Sequence, residues 1–255
     1  MESIAVLDPR SDHYIEVFEL LIRRGDEKAN LISRLRELAG QLPDRRLLVD
    51  AGAGLGSIVA ALQGEFARAI AVEPAPLMAA HLRMTYPALE VIPARILEAP
   101  VAPGAADLIV CAHVFYYIDR AEWPVHLEKL LSWLAPQGVL AISLSHPDAQ
   151  CMKIHEDFHR VRVDLRPLAA VAQEMAGGPY EAAIETIPAR YTTSSLAEMC
   201  RIAEFMVTWA PGPELPSSSA IEAYVRRHLT CPEHGYCLSC DNVMIRIRRR
   251  PSSQG

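Results

Sequence analysis

The apolar residues between positions 47 and 144 form short runs that alternate with segments of helical spacing. Mostly apolar runs of this length predict buried strands, here at 47–49, 69–72, 89–92, 107–111 and 139–144. Apolar positions three or four residues apart predict the intervening helices, at 58–62, 77–84 and 123–134. The alternation predicts an α/β domain with a doubly wound, mostly parallel sheet that binds ligands at the carboxyl ends of its strands.

The flanking parts of the chain have a different pattern. Two helices are predicted near the start, at 12–24 and 29–38, and the regular alternation stops after Ser145. Beyond that point the pattern predicts short, irregular elements, then helices at 194–202 and 220–229 and strands at 205–209 and 243–247. We expect one domain over 1–255, made of a helical N-terminal lid (1–40), a core (45–145), an inserted cover (146–193) and the last helices and strands (194–255).

Composition narrows the choice of protein class. Hydrophobic residues make up 51% of the 255 residues, which is enough for a full core. Lys and Arg number 25 against 31 Asp and Glu, a balance that argues against a nucleic-acid partner. Because no apolar run approaches the roughly 20 residues of a membrane helix and no signal peptide is evident, we expect a cytoplasmic protein without a membrane partner. Its six cysteines are then expected to be mostly free thiols.

A glycine-rich turn follows the first predicted strand. Residues 50–56 read Asp-Ala-Gly-Ala-Gly-Leu-Gly and open a helix, so the backbone can approach a ligand closely at the helix N-terminus. The third glycine comes two residues after the second, which departs from the dinucleotide-binding fingerprint. Glu73 closes the second strand, where a carboxylate can accept hydrogen bonds from both hydroxyls of a ribose.

These features resemble the class I S-adenosylmethionine-dependent methyltransferases. Residues 50–56 look like their first motif, Glu73 like their ribose-binding acid, 107–117 like their fourth-strand motif and 130–144 like the helix, turn and strand that follow. The resemblance implies a seven-stranded Rossmann-like sheet and S-adenosyl-L-methionine as cofactor. The cofactor contacts that it implies are Asp50, Gly52, Ala53, Gly54, Gly56, Glu73, Pro74, Met78, Ala94, Arg95, Ala112 and His113. Ala94 and Arg95 stand where the family often has an acid.

A further resemblance concerns the methyl acceptor. The Tyr116–Tyr117 pair and the N-terminal Tyr14, Phe18 and Glu27 are similar to the histamine N-methyltransferase-like subgroup of small-molecule enzymes. This resemblance implies an acceptor pocket formed by Tyr14, Phe18, Glu27, Tyr116, Tyr117 and Asn242. It also implies the catalytic residues His113, Glu27, Tyr116 and Tyr117, although the subgroup has an uncharged amide at the position of His113.

The resulting hypothesis is methyl transfer to a small molecule, with an amine nitrogen as the favoured acceptor, by a monomer or homodimer. Transfer to oxygen, sulfur or carbon stays open, and so does a cofactor-binding protein without catalysis. Tyr14 and Phe18 have the spacing of ordinary core residues, and His113 could be a core histidine. Tyr116 and Tyr117 cannot both face one side of a strand, so we expect one of them to be structural.

Two patterns suggest metal binding. Residues 155–159 match the His-Glu-x-x-His pattern of zinc hydrolases, but no obvious third ligand follows and the segment lies in the predicted insertion. Cys231, His234, Cys237 and Cys240 could hold a structural zinc, although such sites usually pair two distant ligand groups. We expect no metal, and interpret the cysteine segment as a loop of free thiols over the active site.

Overall fold

The computed structural model describes residues 4, 12–175, 180–208 and 215–250. Its strands are β1 (Leu47–Ala51), β2 (Arg68–Val72), β3 (Glu90–Ile92), β4 (Ala106–Ala112), β5 (Leu134–Ser145), β6 (Tyr180–Ile187), β7 (Arg190–Thr193), β8 (Thr230–Cys231), β9 (Gly235–Ser239) and β10 (Asn242–Arg249). Its α-helices are α1 (Asp12–Arg24), α2 (Glu27–Gln41), α3 (Ser57–Leu62), α4 (Pro76–Thr85), α5 (Trp123–Trp133), α6 (Gln150–His159), α7 (Leu168–Glu174), α8 (Leu196–Thr208) and α9 (Ser218–His228).

The chain divides into two compact units, and each is described by itself. The first, called here the sheet unit, comprises Leu31–Leu144, Leu165–Thr186 and Val243–Gly255. The second, called here the mixed unit, comprises Met1–Asn30, Ser145–Asp164 and Ile187–Asn242.

A seven-stranded sheet in the order β3-β2-β1-β4-β5-β10-β6 organises the sheet unit. The pairs β2–β3, β1–β2, β1–β4 and β4–β5 are parallel, so the predicted mostly parallel sheet flanked by helices is confirmed. All five residues of β1 are buried, which explains why its sequence is a continuous apolar run closed by Asp50 and Ala51. The strand order reverses between β1 and β4, and ligands of such sheets bind where the order reverses.

In its described residues, the mixed unit packs α1, α6, α8 and α9 with a small antiparallel sheet. The sheet has the order β7-β9-β8, and α1, α6 and α9 each contact α8. Helix α8 buries Met199, Ile202, Ala203 and Met206, which recur at the spacing of one helix face. This face forms much of the unit's apolar core.

The late elements differ from the sequence-based prediction. The strand predicted at 205–209 is wrong, because Phe205–Thr208 continues α8 on the same apolar face; Trp209 lies outside the described residues. The segment 146–193 is more regular than expected, since it contains α6, α7, β6 and β7. Strand β6 belongs to the main sheet and was missed because it is an edge strand in which only Tyr180 and Ile187 are buried.

The cysteines also differ in part from the prediction. Cys111, Cys151, Cys200 and Cys240 are free, but Cys231 and Cys237 form a disulfide between β8 and β9. The interpretation of this segment as a loop of free thiols is therefore wrong for two of its cysteines. Among the described residues, no helix is long and apolar enough to cross a membrane.

Candidate functional site

The glycine turn between β1 and α3 has backbone angles that residues with a side chain adopt only with strain. Gly52, Gly54 and Gly56 have φ angles of +85°, +56° and +84°. A Cβ at Gly52 would lie 2.3 Å from Val114 Cγ2, and one at Gly56 would lie 2.5 Å from Leu82 Cδ2. At Gly54 a Cβ would meet nothing within 4 Å. Gly52 and Gly56 therefore allow tight packing inside the protein, whereas Gly54 faces open space that a ligand can fill.

Glu73 joins this turn to the next strand and helix. Its Oε2 accepts a hydrogen bond from the Gly54 N–H at 2.8 Å, and its Oε1 accepts one from the Ala75 N–H at 2.8 Å. Both bonds follow from the fold, because β1 and β2 are neighbours and Ala75 immediately precedes α4. Each carboxylate oxygen can accept more than one hydrogen bond, so Glu73 can still accept from a ribose hydroxyl while it holds the turn.

The acid before the glycines, Asp50, is more deeply buried than Glu73. Asp50 is 2% exposed and pairs in register with Ala71 of β2 and Val110 of β4. Burial, together with the Asp50 carboxylate, raises the pKa of the Cys111 thiol on β4. Cys111 therefore stays protonated near neutral pH and is not a nucleophile.

The other predicted cofactor residues lie at or after the carboxyl ends of β1, β2, β3 and β4. Met78 is half-buried in the first turn of α4, and Ala94 is half-buried after β3. The remaining ones are half-buried Ala53 and Ala112 and exposed Pro74 and Arg95. Because β3, β2, β1 and β4 are consecutive parallel strands, their carboxyl ends lie along one edge of the sheet. An open glycine face with an adjacent carboxylate fits the adenosyl cofactor that the resemblance implies.

His113 comes directly after β4 and has an unusual backbone. Its φ angle is +58°, in a region that costs a non-glycine residue roughly 1–2 kcal/mol. The backbone is held there by a 2.8 Å hydrogen bond from the His113 N–H to the Ser143 carbonyl oxygen. The imidazole stacks on Tyr116 with a centroid distance of 5.9 Å. Strain of this kind is concentrated at functional sites.

The aromatic residues after His113 form a short 3₁₀ turn, Phe115–Tyr117, rather than a strand. Phe115 is 1% exposed and contacts Trp123 edge-on, so Phe115 is the aromatic residue of this turn that packs in the core. Tyr116 is half-buried, and Tyr117 is 73% exposed. The structure thus brings His113, Tyr116 and Tyr117 together at the carboxyl end of β4.

Two predicted acceptor residues meet inside the mixed unit. Asn242 Nδ2 donates a hydrogen bond to Glu27 Oε1 at 3.0 Å, although the residues are 215 positions apart. Glu27 is 7% exposed and Asn242 is fully buried. Phe18 is partly buried against the core of the same unit, which agrees with a packing role. The side chain of Tyr14 lies outside the described part of the structure.

Sequence reasoning missed two neighbours of these groups. Val114 packs against Gly52, and only its position next to His113 could have pointed to it. Tyr191 of β7 is buried in the mixed unit; burial, and then the neighbouring Cys240 and Glu27, raise its pKa well above the ordinary value. The Tyr191 hydroxyl therefore stays protonated next to the Glu27–Asn242 pair.

The zinc-hydrolase pattern does not form a metal centre in the described residues. His155 and His159 are buried on α6 with ring centroids 4.7 Å apart. His159 Nε2 lies 2.9 Å from the Val207 carbonyl oxygen, so this nitrogen carries a proton and is not a metal ligand. Within the described ranges, no group of three or more His, Cys, Asp or Glu side chains is placed to hold a metal ion.

Comparison with known proteins gives a family match and several structural matches. A family model described as a methyltransferase domain matches residues 23–208. No curated protein matches the chain.

The similar solved structures share the fold at low identity. A SAM-dependent methyltransferase from Archaeoglobus fulgidus is 15% identical, with a TM-score of 0.57 over 92% of this chain and 100% of that one. The YcgJ protein from Bacillus subtilis is 12% identical, with a TM-score of 0.58 over 86% and 98%. A TehB-like SAM-dependent methyltransferase from Corynebacterium glutamicum is 12% identical, with a TM-score of 0.53 over 94% and 97%.

Proposed function

We propose that this chain, which belongs to the methyltransferase-domain family whose model it matches, methylates an amine nitrogen of a small-molecule acceptor. Family membership establishes a methyltransferase that depends on S-adenosyl-L-methionine. The identity of the acceptor, and with it a likeness to the histamine N-methyltransferase-like subgroup, is the part that we propose. The observation that carries it is the buried Glu27–Asn242 pair.

In the proposal, the cofactor is held by the glycine turn and Glu73. Gly54 offers the open backbone face, and Glu73 accepts from the ribose. When bound, S-adenosyl-L-methionine supplies a methyl group on a positively charged sulfur. Such a methyl group needs no acid for its leaving group, so the protein's contribution is mainly alignment of the acceptor and exclusion of water, which together can supply roughly 7–11 kcal/mol.

The buried carboxylate favours a cationic acceptor over a neutral one. Charges interact more strongly away from water, so Glu27 at 7% exposure attracts an ammonium group better than a surface carboxylate would. The amide of Asn242 donates to one oxygen of Glu27 and thereby fixes the direction in which the carboxylate points. A phenol, thiol or carbon acid gains no comparable charge interaction.

An ammonium group must lose a proton before its nitrogen can accept a methyl group. Within the sheet unit, we propose His113, directly after β4, as the general base of the reaction, because an imidazole nitrogen can accept a proton. Stacking on Tyr116 holds the ring in one orientation. Tyr116 and Tyr117 also offer aromatic faces on which a cationic methylated product can rest.

A screen with methyl-labelled cofactor tests the acceptor class. Purified protein is incubated with matched sets of small primary and secondary amines, phenols, thiols and carbon acids, and product label is counted. We expect label in amines, with turnover rising with pH as more of the amine is deprotonated. Label confined to phenols, thiols or carbon acids would overturn the proposal but leave the enzyme class intact.

A charge-removing variant tests Glu27 directly. Glu27→Gln keeps the shape of the side chain and the contact with Asn242, so we expect the KM for the amine to rise at least tenfold with an unchanged Kd for the cofactor. Glu19→Gln, which changes an exposed carboxylate of α1, is the matched control. Equal effects of the two substitutions would remove Glu27 from the acceptor site.

A further inference from the structure

Two free cysteines of the mixed unit lie unusually close together. Cys151 of α6 and Cys240, which follows β9, have their sulfur atoms 2.7 Å apart. That is about 0.7 Å longer than a disulfide bond, whose S–S distance is about 2.04 Å. Both are buried, with exposures of 1% and 5%. Neither residue has a role in the proposed methyl transfer.

The backbone around the two sulfurs is fixed by hydrogen bonds between the same two segments. The Gln150 N–H donates to Ser239 Oγ at 3.0 Å, and the Ser239 N–H donates to Gln150 Oε1 at 2.8 Å. The Cys240 N–H donates to the Ala189 carbonyl oxygen at 2.8 Å. The residues preceding each cysteine are therefore paired with each other, which holds the two sulfur atoms 2.7 Å apart.

We propose that Cys151 and Cys240 form an oxidisable dithiol, a modification site for small two-electron oxidants of the peroxide class. Hydrogen peroxide takes two electrons and two protons from the pair, an S–S bond forms between the two sulfurs, and the O–O bond breaks to give two molecules of water. A small dithiol reductant reverses the reaction and is itself oxidised to a disulfide.

The surroundings of the pair determine how it reacts. The Cys151 sulfur, burial and the Glu27 carboxylate all raise the pKa of the Cys240 thiol. Since the thiolate is the reactive form, oxidation is slow and needs an oxidant small enough to reach a buried sulfur. Once one sulfur has been oxidised to a sulfenic acid, the other sulfur, only 2.7 Å away, condenses with it, which prevents further oxidation.

Peptide mapping tests this site in the intact protein. The chain is reduced, freed of reductant and incubated for hours with or without hydrogen peroxide. It is then alkylated in denaturant and digested without reduction. We expect peroxide to convert the Cys151 and Cys240 peptides into one cross-linked peptide, about 2 Da lighter than their sum, which dithiothreitol separates again. Recovery of both peptides as alkylated or sulfonic-acid forms would overturn the proposal.

Single substitutions provide the controls. In Cys240→Ser the thiol of Cys151 has lost its partner, so we expect it to be alkylated or over-oxidised rather than cross-linked. Cys200→Ser removes a half-buried thiol of the same unit, whose pKa is raised to about 11 mainly by burial, and should leave the cross-link intact. A cross-link between Cys151 or Cys240 and any other cysteine would contradict the assignment, and this outcome is visible in the wild-type protein even if a variant fails to fold.

Discussion

The carboxylate of Glu73 accepts a hydrogen bond from the backbone N–H of Gly54 at 2.8 Å. The acid at the end of β2 therefore helps to shape the glycine turn that follows β1, in addition to facing the position of a ribose in our proposal. Its second oxygen accepts from the Ala75 N–H at the start of α4. One side chain thus couples a strand, a turn and a helix, and its replacement should affect both the turn and the cofactor.

The first prediction concerns Glu73. We expect Glu73→Ala to weaken binding of S-adenosyl-L-methionine more than tenfold, or about 1.4 kcal/mol or more, because it removes the ribose acceptor and releases the turn. Isothermal titration calorimetry measures the change. Glu90→Gln, which changes an exposed carboxylate of β3, is the control and should bind like the wild type. Wild-type affinity in Glu73→Ala would show that the ribose assignment is wrong.

The second prediction compares one substitution at two glycines. Gly54→Ala adds a methyl group at a φ of +56° and into the open face of the turn, so we expect at least a tenfold loss of cofactor affinity and a loss of stability of roughly 1–2 kcal/mol. Gly40→Ala, in α2, meets nothing within 4 Å and should raise stability by about 0.4–1 kcal/mol without changing affinity. Titration and urea unfolding check both variants.

The third prediction concerns His113. If His113 removes the proton of the acceptor, His113→Gly should lower kcat by roughly 10²–10⁴-fold, with little change in the Kd for the cofactor. The glycine also relieves the strained φ of +58°, so the variant should not unfold at a lower temperature. An unchanged kcat would reduce His113 to a packing role.

Arg160 offers a matched control for the backbone effect. It is the other non-glycine residue with a positive φ in the described chain, at +59°, and it ends α6. Arg160→Gly should raise the free energy of unfolding by about 1 kcal/mol and leave turnover unchanged. Thermal melts of both glycine variants separate relief of strain from loss of the imidazole.

The fourth prediction concerns the pH dependence of stability. Burial alone would raise the pKa of Asp107, but the Arg46 guanidinium and the N–H groups of Arg46 and Leu47 outweigh it and lower the pKa. The unfolded value is about 3.9, so the contribution of Asp107 is fully present above that pH and is lost as the pH falls through the lower folded-state pKa.

Asp107→Asn should therefore be less stable than the wild type near neutral pH, and the difference should shrink below about pH 4. Urea unfolding at a series of pH values measures it. Asp44→Asn, which changes a carboxylate that lies exposed 3.8 Å from Arg46, should show little difference at any pH. A difference in stability between Asp107→Asn and the wild type that stays constant at all pH values would contradict the lowered pKa.

The sheet core was predictable from sequence because its strands are buried on both faces. Strand β4, for example, buries every residue except Ala112, and its residues 108–112 form an unbroken apolar run. Strand β6 gives no such signal, since it lies at the edge of the sheet and buries only its two ends. The end of α8 misled the prediction because its three-residue apolar run, 205–207, also fits a strand, and only its continuity with Met199 and Ile202 shows the helical period.

Some features of the candidate site could likewise be predicted from the sequence, and others could not. The glycines of the turn were identifiable by residue type, because their positive φ angles need residues without a side chain. The bond between Glu73 and Gly54 and the contact between Val114 and Gly52 depend on the path of the chain, which no local pattern encodes. The partnership of Glu27 with Asn242 likewise arises only when the chain has folded.

The position of β10 in the main sheet bears on how the protein is made. Strand β10 is the last strand in the described chain, yet it lies between β5 and β6. Strand β6 leaves the ribosome earlier but cannot join the sheet until residues 242–249 have also emerged. Strand β6 therefore waits for its neighbour while residues 188–241 are translated. A nascent chain stalled before β10 would leave edges of β5 and β6 unpaired and open to chaperones and to other chains.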